Sequence, residues 1–359
     1  MKIVYIITQL GVGGAENVLV SMANKMQKLG HEVYVISLLN IFEQKFDDGI
    51  SIFILDFKSS PFTAFVKLCK LISGIKPDVV HSHCIHANII TRLTKFFISI
   101  KRLVSTAHNT YEGTGLLMLA FKYTNFLSDV ITNVSTDAVN AFEKEKYVKK
   151  NEMKVMSNII DINKYLFSID DRCIYREKFN INKGQIILIT IAMFKDSKDF
   201  PNLIRAISYI KNNYNSEFKF FIVGDGELFP QIKDMAKEMQ VIDNIEFLGR
   251  RDDIRALLSM SDFFILASKH EGLPTVLIEA AMAENYIIST DCGGVNDILP
   301  TTDNIVPIQD HIALAKRIIF RMKEDQDTRE KCVETTKNYI YNKFNPDIVV
   351  NQWIELYCE

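Results

Sequence analysis

Residues 263–283 read Phe263-Phe264-Ile265-Leu266-Ala267-Ser268-Lys269-His270-Glu271-Gly272-Leu273-Pro274-Thr275-Val276-Leu277-Ile278-Glu279-Ala280-Ala281-Met282-Ala283. The first five are continuously apolar, the pattern of a short strand buried on both faces. Ser268–Gly272 breaks that run and reads as a loop. Pro274 suits the first turn of a helix, where its missing N–H costs nothing, and the helix is expected to run over 274–283. A buried strand, a polar loop and a helix make up half of a βαβ unit.

The same rhythm extends in both directions. Upstream, strands are expected at 2–8, 31–38, 50–55, 78–83, 102–106 and 130–133, with helices at 16–29 and 61–75. It restarts with strands at 186–192, 218–223, 244–248, 263–267 and 286–290, and helices at 201–212, 228–239, 254–259 and 274–283. Apolar strands alternating with helices predict parallel sheets covered on both faces. The chain therefore reads as two doubly wound α/β units meeting near 158–168. Ligands of such sheets sit beyond the carboxyl ends of the strands, so the site is expected in a cleft between the units.

Composition narrows the function classes. Of 359 residues, 48% are hydrophobic and 24% charged, which excludes a disordered chain. A formal charge of −2 offers no argument for nucleic acid as a partner. Residues 58–122 are different, with nine Lys/Arg against two Asp/Glu and Phe62, Phe65, Phe96 and Phe97 among them. Such a stretch is either a basic, aromatic surface for an anionic bilayer, presenting Lys67, Lys70, Arg92 and Lys95, or a solvated face over core aromatics. No apolar run approaches the roughly 20 residues of a membrane span. The N-terminus leads into a glycine loop rather than a cleavage site, and six scattered cysteines form no CxxC pair, so a cytoplasmic protein with reduced thiols is expected.

Three motifs carry chemistry. Gly11-Val12-Gly13-Gly14-Ala15-Glu16 follows the first strand. A dinucleotide fingerprint needs glycine where Glu16 stands and an acid near the end of the second strand, where Ser37-Leu38-Leu39-Asn40 has none. Gly13 and Gly14 still permit close approach of an anion to a helix N-terminus, or mark a plain tight turn. Second, Glu271 in its loop and Glu279 inside the helix flank the amides of Gly272, Leu273 and Thr275. That set can hold sugar hydroxyls, ribose hydroxyls and a diphosphate. Third, His81-Ser82-His83-Cys84-Ile85-His86 puts imidazoles on one strand face, yet no assured third ligand completes a metal site. His108 also lies just past a strand.

These residues resemble a retaining glycosyltransferase of family 4 with the GT-B fold. The likeness runs in order through Gly11–Glu16, Pro77-Asp78-Val79-Val80-His81-Ser82-His83, Ser105-Thr106-Ala107-His108 and Asn158-Ile159-Ile160-Asp161. It continues through Lys198-Asp199-Phe200-Pro201, Val223-Gly224-Asp225-Gly226-Glu227, Phe247-Leu248-Gly249, the Glu-x₇-Glu element Glu271–Glu279, and Thr290-Asp291-Cys292-Gly293-Gly294. The resemblance implies two Rossmann-like domains facing across a cleft. An acceptor-binding domain would span 1–163 and a nucleotide-sugar domain 164–340, with a C-terminal helix in 341–359 packing back towards the first.

It also implies roles. Glu279 would grip the ribose and Glu271 the donor sugar. Lys198 would neutralise the diphosphate, helped by amides near Gly13, Gly14 and Gly272-Leu273-Pro274-Thr275. Phe247, Gly249 and Arg250 would line the base pocket, and Glu16, His83 and His108 the acceptor side. Lys198, Glu271 and His108 are the expected catalytic set, with no metal and no cofactor. The donor would be UDP-linked, and the acceptor a glycan or a polyprenyl-diphosphate-linked sugar of bacterial polysaccharide assembly. Two positions depart from the pattern. Met193 stands where the family usually places an arginine, so Lys195, Arg250 or Arg251 would have to compensate, and Val295-Asn296-Asp297 stands where a glutamate is common. A GT-B epimerase, a phosphorylase and a non-catalytic two-lobed sugar-binding protein are the competing readings.

Overall fold

The computed structural model describes residues 1–11 and 13–359. Two compact units divide the chain, one formed by residues 1–160 with 344–359 and the other by residues 161–343.

The first unit is built on seven strands: β1 (Lys2–Ile7), β2 (Glu32–Ser37), β3 (Ser51–Ile54), β4 (Val79–His83), β5 (Leu103–Ala107), β6 (Val130–Asn133) and β7 (Met153–Val155). Their order is β3-β2-β1-β4-β5-β6-β7, every neighbouring pair parallel. The continuous apolar run of β1 follows from burial on both faces. Ile3, Tyr5 and Ile7 pack with Leu19 and Met22 of helix Gly14–Lys28 and with Val349 and Trp353 of helix Pro346–Cys358. Val4 and Ile6 pack on the other face with Ala64, Leu68 and Ile72 of helix Pro61–Ile75. The last helix is tied in by Trp353 Nε1, which donates to the Ser157 carbonyl at 3.0 Å.

The second unit has six parallel strands: β8 (Ile186–Ile191), β9 (Phe218–Val223), β10 (Ile245–Gly249), β11 (Phe263–Leu266), β12 (Tyr286–Thr290) and β13 (Ile305–Val306). Their order is β10-β9-β8-β11-β12-β13. Leu188 and Phe220 pack against Leu203 and Ile207 of helix Phe200–Asn213 and Leu314 and Ile318 of helix His311–Met322. Helix Ile169–Lys178 is pinned by Arg172 and Arg176, which both pair with Asp262, at 2.5 and 2.7 Å. The short strands β7 and β13 carry too few residues for an alternation to be read from sequence.

In each sheet the order reverses beside the unit's first strand, between β1 and β4 and between β8 and β11. These are the switch points where open α/β sheets bind ligands.

One surface expectation is overturned. Arg92 lies in helix Ile85–Thr94 and is fully buried. Its guanidinium sits 4.2 Å from the Phe121 ring centroid and donates to the Phe121 carbonyl (3.0 Å), Asn125 Oδ1 (2.9 Å) and Ser128 Oγ (2.8 Å). Burial pushes its pKa down to about 9. Nε and Nη1 are taken up by these oxygens, Nη2 is buried with no hydrogen-bond partner among the described residues, and Arg92 is part of the core and presents no charge to a membrane. Lys95 is half-buried and paired with Asp129 at 2.8 Å.

Candidate functional site

The switch point of the second unit draws on two loops far apart in sequence. Beyond β8, residues 192–195 lead into the turn Asp196–Lys198, and Asp199, at φ +46°, redirects the chain into helix Phe200–Asn213. Beyond β11, residues 267–274 lead into helix Thr275–Met282, so Pro274 caps that helix and Thr275 begins it. Pairing of β8 with β11 sets the loops side by side. The Lys269 N–H donates to the Ser197 carbonyl at 2.8 Å, and Lys269 Nζ pairs with Asp196 at 2.8 Å.

Lys198 and Glu271 thus meet although 73 residues separate them, Nζ to Oε1 at 2.5 Å. Ser268 Oγ donates to the same oxygen at 2.7 Å, and the Glu271 N–H donates to the Cys292 carbonyl at 2.6 Å. Both side chains of the ion pair are largely covered, which reduces screening of the pair relative to a surface one. Cys292 is buried, and desolvation pushes its thiol up to about 12, which keeps it protonated beside the glutamate.

Two glycine loops press on this region. Gly294 adopts φ +64°, and a Cβ there would strike the Gly272 carbonyl oxygen. Gly224, at φ +138°, leaves room for no Cβ against the Ala192 carbonyl oxygen, so the loop after β9 lies flat on the loop that carries Met193 and Lys198. Any side chain at either position would displace backbone of the site.

Glu279 is half-buried, four residues into its helix. Burial pushes its carboxyl up to about 7, against the pull of Lys164 and the hydroxyl of Tyr165, both from the turn Ile162–Tyr165. Phe247 is half-buried at the edge of the core, with its ring edge-on to Phe229 at 5.6 Å, while Gly249 (φ +64°) and exposed Arg250 follow at the end of β10. Met193 is exposed. Of its suggested substitutes, Arg251 is committed to Asp253, Nε to Oδ1 at 2.8 Å, and holds that carboxyl down at about 2.

The switch point of the first unit contains no comparable ion pair among the described residues that line it. His81 bridges Tyr357 Oη (2.7 Å) and Thr106 Oγ1 (2.6 Å). His83 Nδ1 lies 3.0 Å from His108 Nε2, with the two rings stacked. Burial lowers the pKa of all three imidazoles, that of His108 to about 4, so they are neutral at physiological pH. His83 Nε2 is buried with no hydrogen-bond partner among the described residues. The His108 N–H donates to Glu112, whose carboxyl burial pushes up to about 7. At the start of helix Gly14–Lys28, Glu16 folds back over Gly13, while a Cβ on Gly14 would meet open space. Val12 of the glycine loop lies outside the described residues. The three histidines are core and strand-end groups. Among the described residues, no three His, Cys, Asp or Glu converge as a metal site.

The structure therefore brings Lys198, Glu271, Gly272 and Thr275 together in one unit and His83, His108 and Glu16 near the ends of β1, β4 and β5 in the other. Sequence reasoning missed Ser268, Glu112 and Tyr165. Ser268 stands three residues before Glu271, within the quoted stretch, but a serine in a loop carries no signal of its own. Glu112 sits four residues past the His108 amide it accepts from, in a loop with no regular spacing to mark it, and Tyr165 meets Glu279 only through tertiary packing.

Two doubly wound parallel-sheet units with polar groups at their switch points define the GT-B class. The sequence matches two families in series, Glycosyltransferase Family 4 over residues 12–164 and Glycosyl transferases group 1 over residues 171–339. The chain belongs to this glycosyltransferase family and is a transferase enzyme. It is similar to N-acetyl-alpha-D-glucosaminyl L-malate synthase of Bacillus anthracis, at 24% identity over 97% of this chain and 94% of the relative. It is also 27% identical, over 100% of this chain and 99% of the relative, to a Campylobacter jejuni protein described as GalNAc-alpha-(1->4)-GalNAc-alpha-(1->3)-diNAcBac-PP-undecaprenol alpha-1,4-N-acetyl-D-galactosaminyltransferase. Among solved structures, Anabaena HepE in complex with UDP and glucose shares the fold, with a TM-score of 0.84 over 99% of both chains at 16% identity.

Proposed function

We propose that this enzyme transfers a hexose or N-acetylhexosamine from a UDP-linked donor to a glycan or polyprenyl-diphosphate-linked acceptor, with retention of configuration, in cell-surface polysaccharide synthesis. The observation that carries the reading is the Lys198–Glu271 pair beside the N-terminus of a helix that also bears Glu279. Glu279 accepts ribose hydroxyls, Glu271 orients the donor sugar, and Phe247, Gly249 and Arg250 border the base. The transition state is oxocarbenium-like, with charge growing on the leaving phosphate. Lys198 and the amides of 272–275 oppose that charge, a preorganised electrostatic term of the kind that usually dominates catalysis. They supply what a metal supplies elsewhere, so activity is expected to survive chelation by EDTA. Transfer takes place on the donor's front face, with the leaving phosphate accepting the acceptor's proton. Glu16, His83 and His108 serve the acceptor side, the two imidazoles as neutral hydrogen-bonding groups.

The test is a thermal-shift screen over UDP, GDP, ADP and TDP sugars, since a true ligand raises stability by RT ln(1 + [L]/Kd). A rise confined to a non-uridine donor overturns the assignment of the base. Incubation with the donor alone separates the alternatives: an epimerase converts it, whereas a transferase leaves it intact or hydrolyses it slowly.

A second observation supports peripheral contact with an anionic membrane on the cytoplasmic side. Leu116, Leu119, Tyr123 and Phe126 recur at helical spacing along helix Gly115–Thr124 and the turn that follows, and Leu116 and Phe126 are 81% and 74% exposed. A groove beside Tyr123 and Phe126 is lined by Lys122, Lys146, Lys149 and Lys150, which outnumber its two carboxylates, Glu143 and Glu152. Apolar residues that enter the interface, bordered by lysines, suit anionic headgroups. No helix among the described residues is long and apolar enough to cross a membrane. Co-sedimentation with anionic and neutral vesicles across a salt series tests this. Salt-sensitive binding to anionic vesicles, reduced by Phe126→Ser with Tyr123→Ser, is expected, and indifference to lipid charge overturns it.

A further inference from the structure

Glu271 has a second side-chain partner whose role differs from that of Lys198. Lys198 Nζ (2.5 Å) and Ser268 Oγ (2.7 Å) both donate to Oε1, which leaves Oε2 to face elsewhere. Ser268 is 1% exposed and is itself held from the neighbouring strand, as Thr290 Oγ1 donates to its carbonyl at 2.6 Å. The Glu271 backbone is fixed to the end of the same strand through Cys292. The carboxylate is thus anchored once, through Ser268, to a rigid element and once to a flexible, charged side chain, while the Glu271 backbone is tied to the neighbouring strand end.

A diphosphate entering this site competes for the lysine. As Lys198 turns to the phosphates, Glu271 loses its counter-ion and faces new negative charge, which favours rotating the carboxylate away. A buried hydroxyl that donates to Oε1 resists that rotation, because leaving it would strand the hydroxyl without an acceptor.

We propose that Ser268, seated by Thr290, is a positioning residue that holds the Glu271 carboxylate on the donor sugar while Lys198 is handed from Glu271 to the diphosphate. The inference rests on the reading that Glu271 meets the sugar and Lys198 the phosphates. Ser268 touches no substrate; it acts through Glu271.

The experiment measures donor hydrolysis and acceptor transfer with UDP-N-acetylglucosamine and UDP-glucose, together with the affinity for UDP, which has no sugar. Ser268→Ala is expected to lower kcat about tenfold and leave the Kd for UDP within about twofold, since a hydrogen bond to a charged group is lost only where the sugar is held. Ser268→Thr, which keeps the hydroxyl, is expected to restore turnover. A double-mutant cycle with Lys198→Ala tests the handover. If the lysine has left Glu271 in the reactive complex, the two losses add within about twofold. If Ser268→Ala costs clearly more in the Lys198→Ala background than in the wild type, the lysine still shares the anchoring of Glu271 during reaction and the handover is overturned. Unchanged kcat in Ser268→Ala, or equal losses of kcat and UDP affinity that threonine does not rescue, overturns the positioning role. Glu271→Gln is the control for the underlying reading. Full turnover in that variant refutes the sugar contact itself, whereas impaired turnover beside an unaffected Ser268→Ala refutes only the present inference.

Discussion

At the ends of β8 and β11 a lysine and a glutamate form an ion pair, whereas at the ends of β4 and β5 three imidazoles pack as neutral rings and the His108 amide donates to a carboxyl raised to about 7. The two sheets share a strand plan, so topology does not account for this contrast. Burial does. The histidine cluster is desolvated, which penalises every charged form. The Lys198 and Glu271 side chains keep 24% and 12% exposure, each charge is offset by the other, and the carboxylate lies just before the N-terminus of a helix. In the proposed reading, the charged switch point takes the diphosphate and the neutral one the hydroxyls of the acceptor.

Lys198→Ala should break the charged half most severely. A fall in kcat of about 100-fold is expected, with a much smaller loss of donor affinity, because charge on the leaving phosphate grows during bond cleavage. Normal turnover in this variant would mean that the diphosphate is held elsewhere. Single-turnover kinetics with measured donor affinity makes the separation.

A middle-sized effect sharpens the division of labour. Glu279→Ala should weaken UDP binding about tenfold, as expected for the loss of a buried hydrogen bond, whereas Glu271→Ala should chiefly lower turnover. His108→Ala should leave UDP affinity unchanged while lowering transfer to the acceptor. Calorimetry on the three variants checks this, and a His108→Ala protein with weakened UDP binding would erase the contrast between the two switch points.

The smallest effect concerns pH. The Glu279 carboxyl is raised to about 7 in the folded protein, so its protonated form is favoured and a ribose hydroxyl finds a better acceptor only once it ionises. Donor affinity should therefore rise about threefold to fivefold between pH 6 and pH 8, and Glu279→Gln should flatten that rise. The linked stability runs in the opposite direction: the raised pKa stabilises the fold fully below the ordinary carboxylate range, and that contribution is lost as pH climbs through about 7. A donor affinity independent of pH in the wild type would remove Glu279 from the binding step.

Local pattern determined much of this protein. Apolar strand runs, Pro274 at the helix start and the loops after each strand are short-range features, and they predict two doubly wound sheets and mark Glu271 and Glu279, whereas Lys198 and the role of His108 come from the family resemblance. Tertiary structure alone decided what those residues touch. Lys198 reaches Glu271 because β8 and β11 are neighbours, a pairing across 73 residues that no periodicity encodes. Arg92, read as a surface charge from its neighbours, is buried because Phe121, Asn125 and Ser128 from a separate helix and turn supply the oxygens and the ring that make its burial tolerable. The neutrality of His83 and His108 likewise comes from the packing that excludes water around them. Propensity and spacing are written along the chain, whereas desolvation and ion pairing depend on which distant segments close over a side chain.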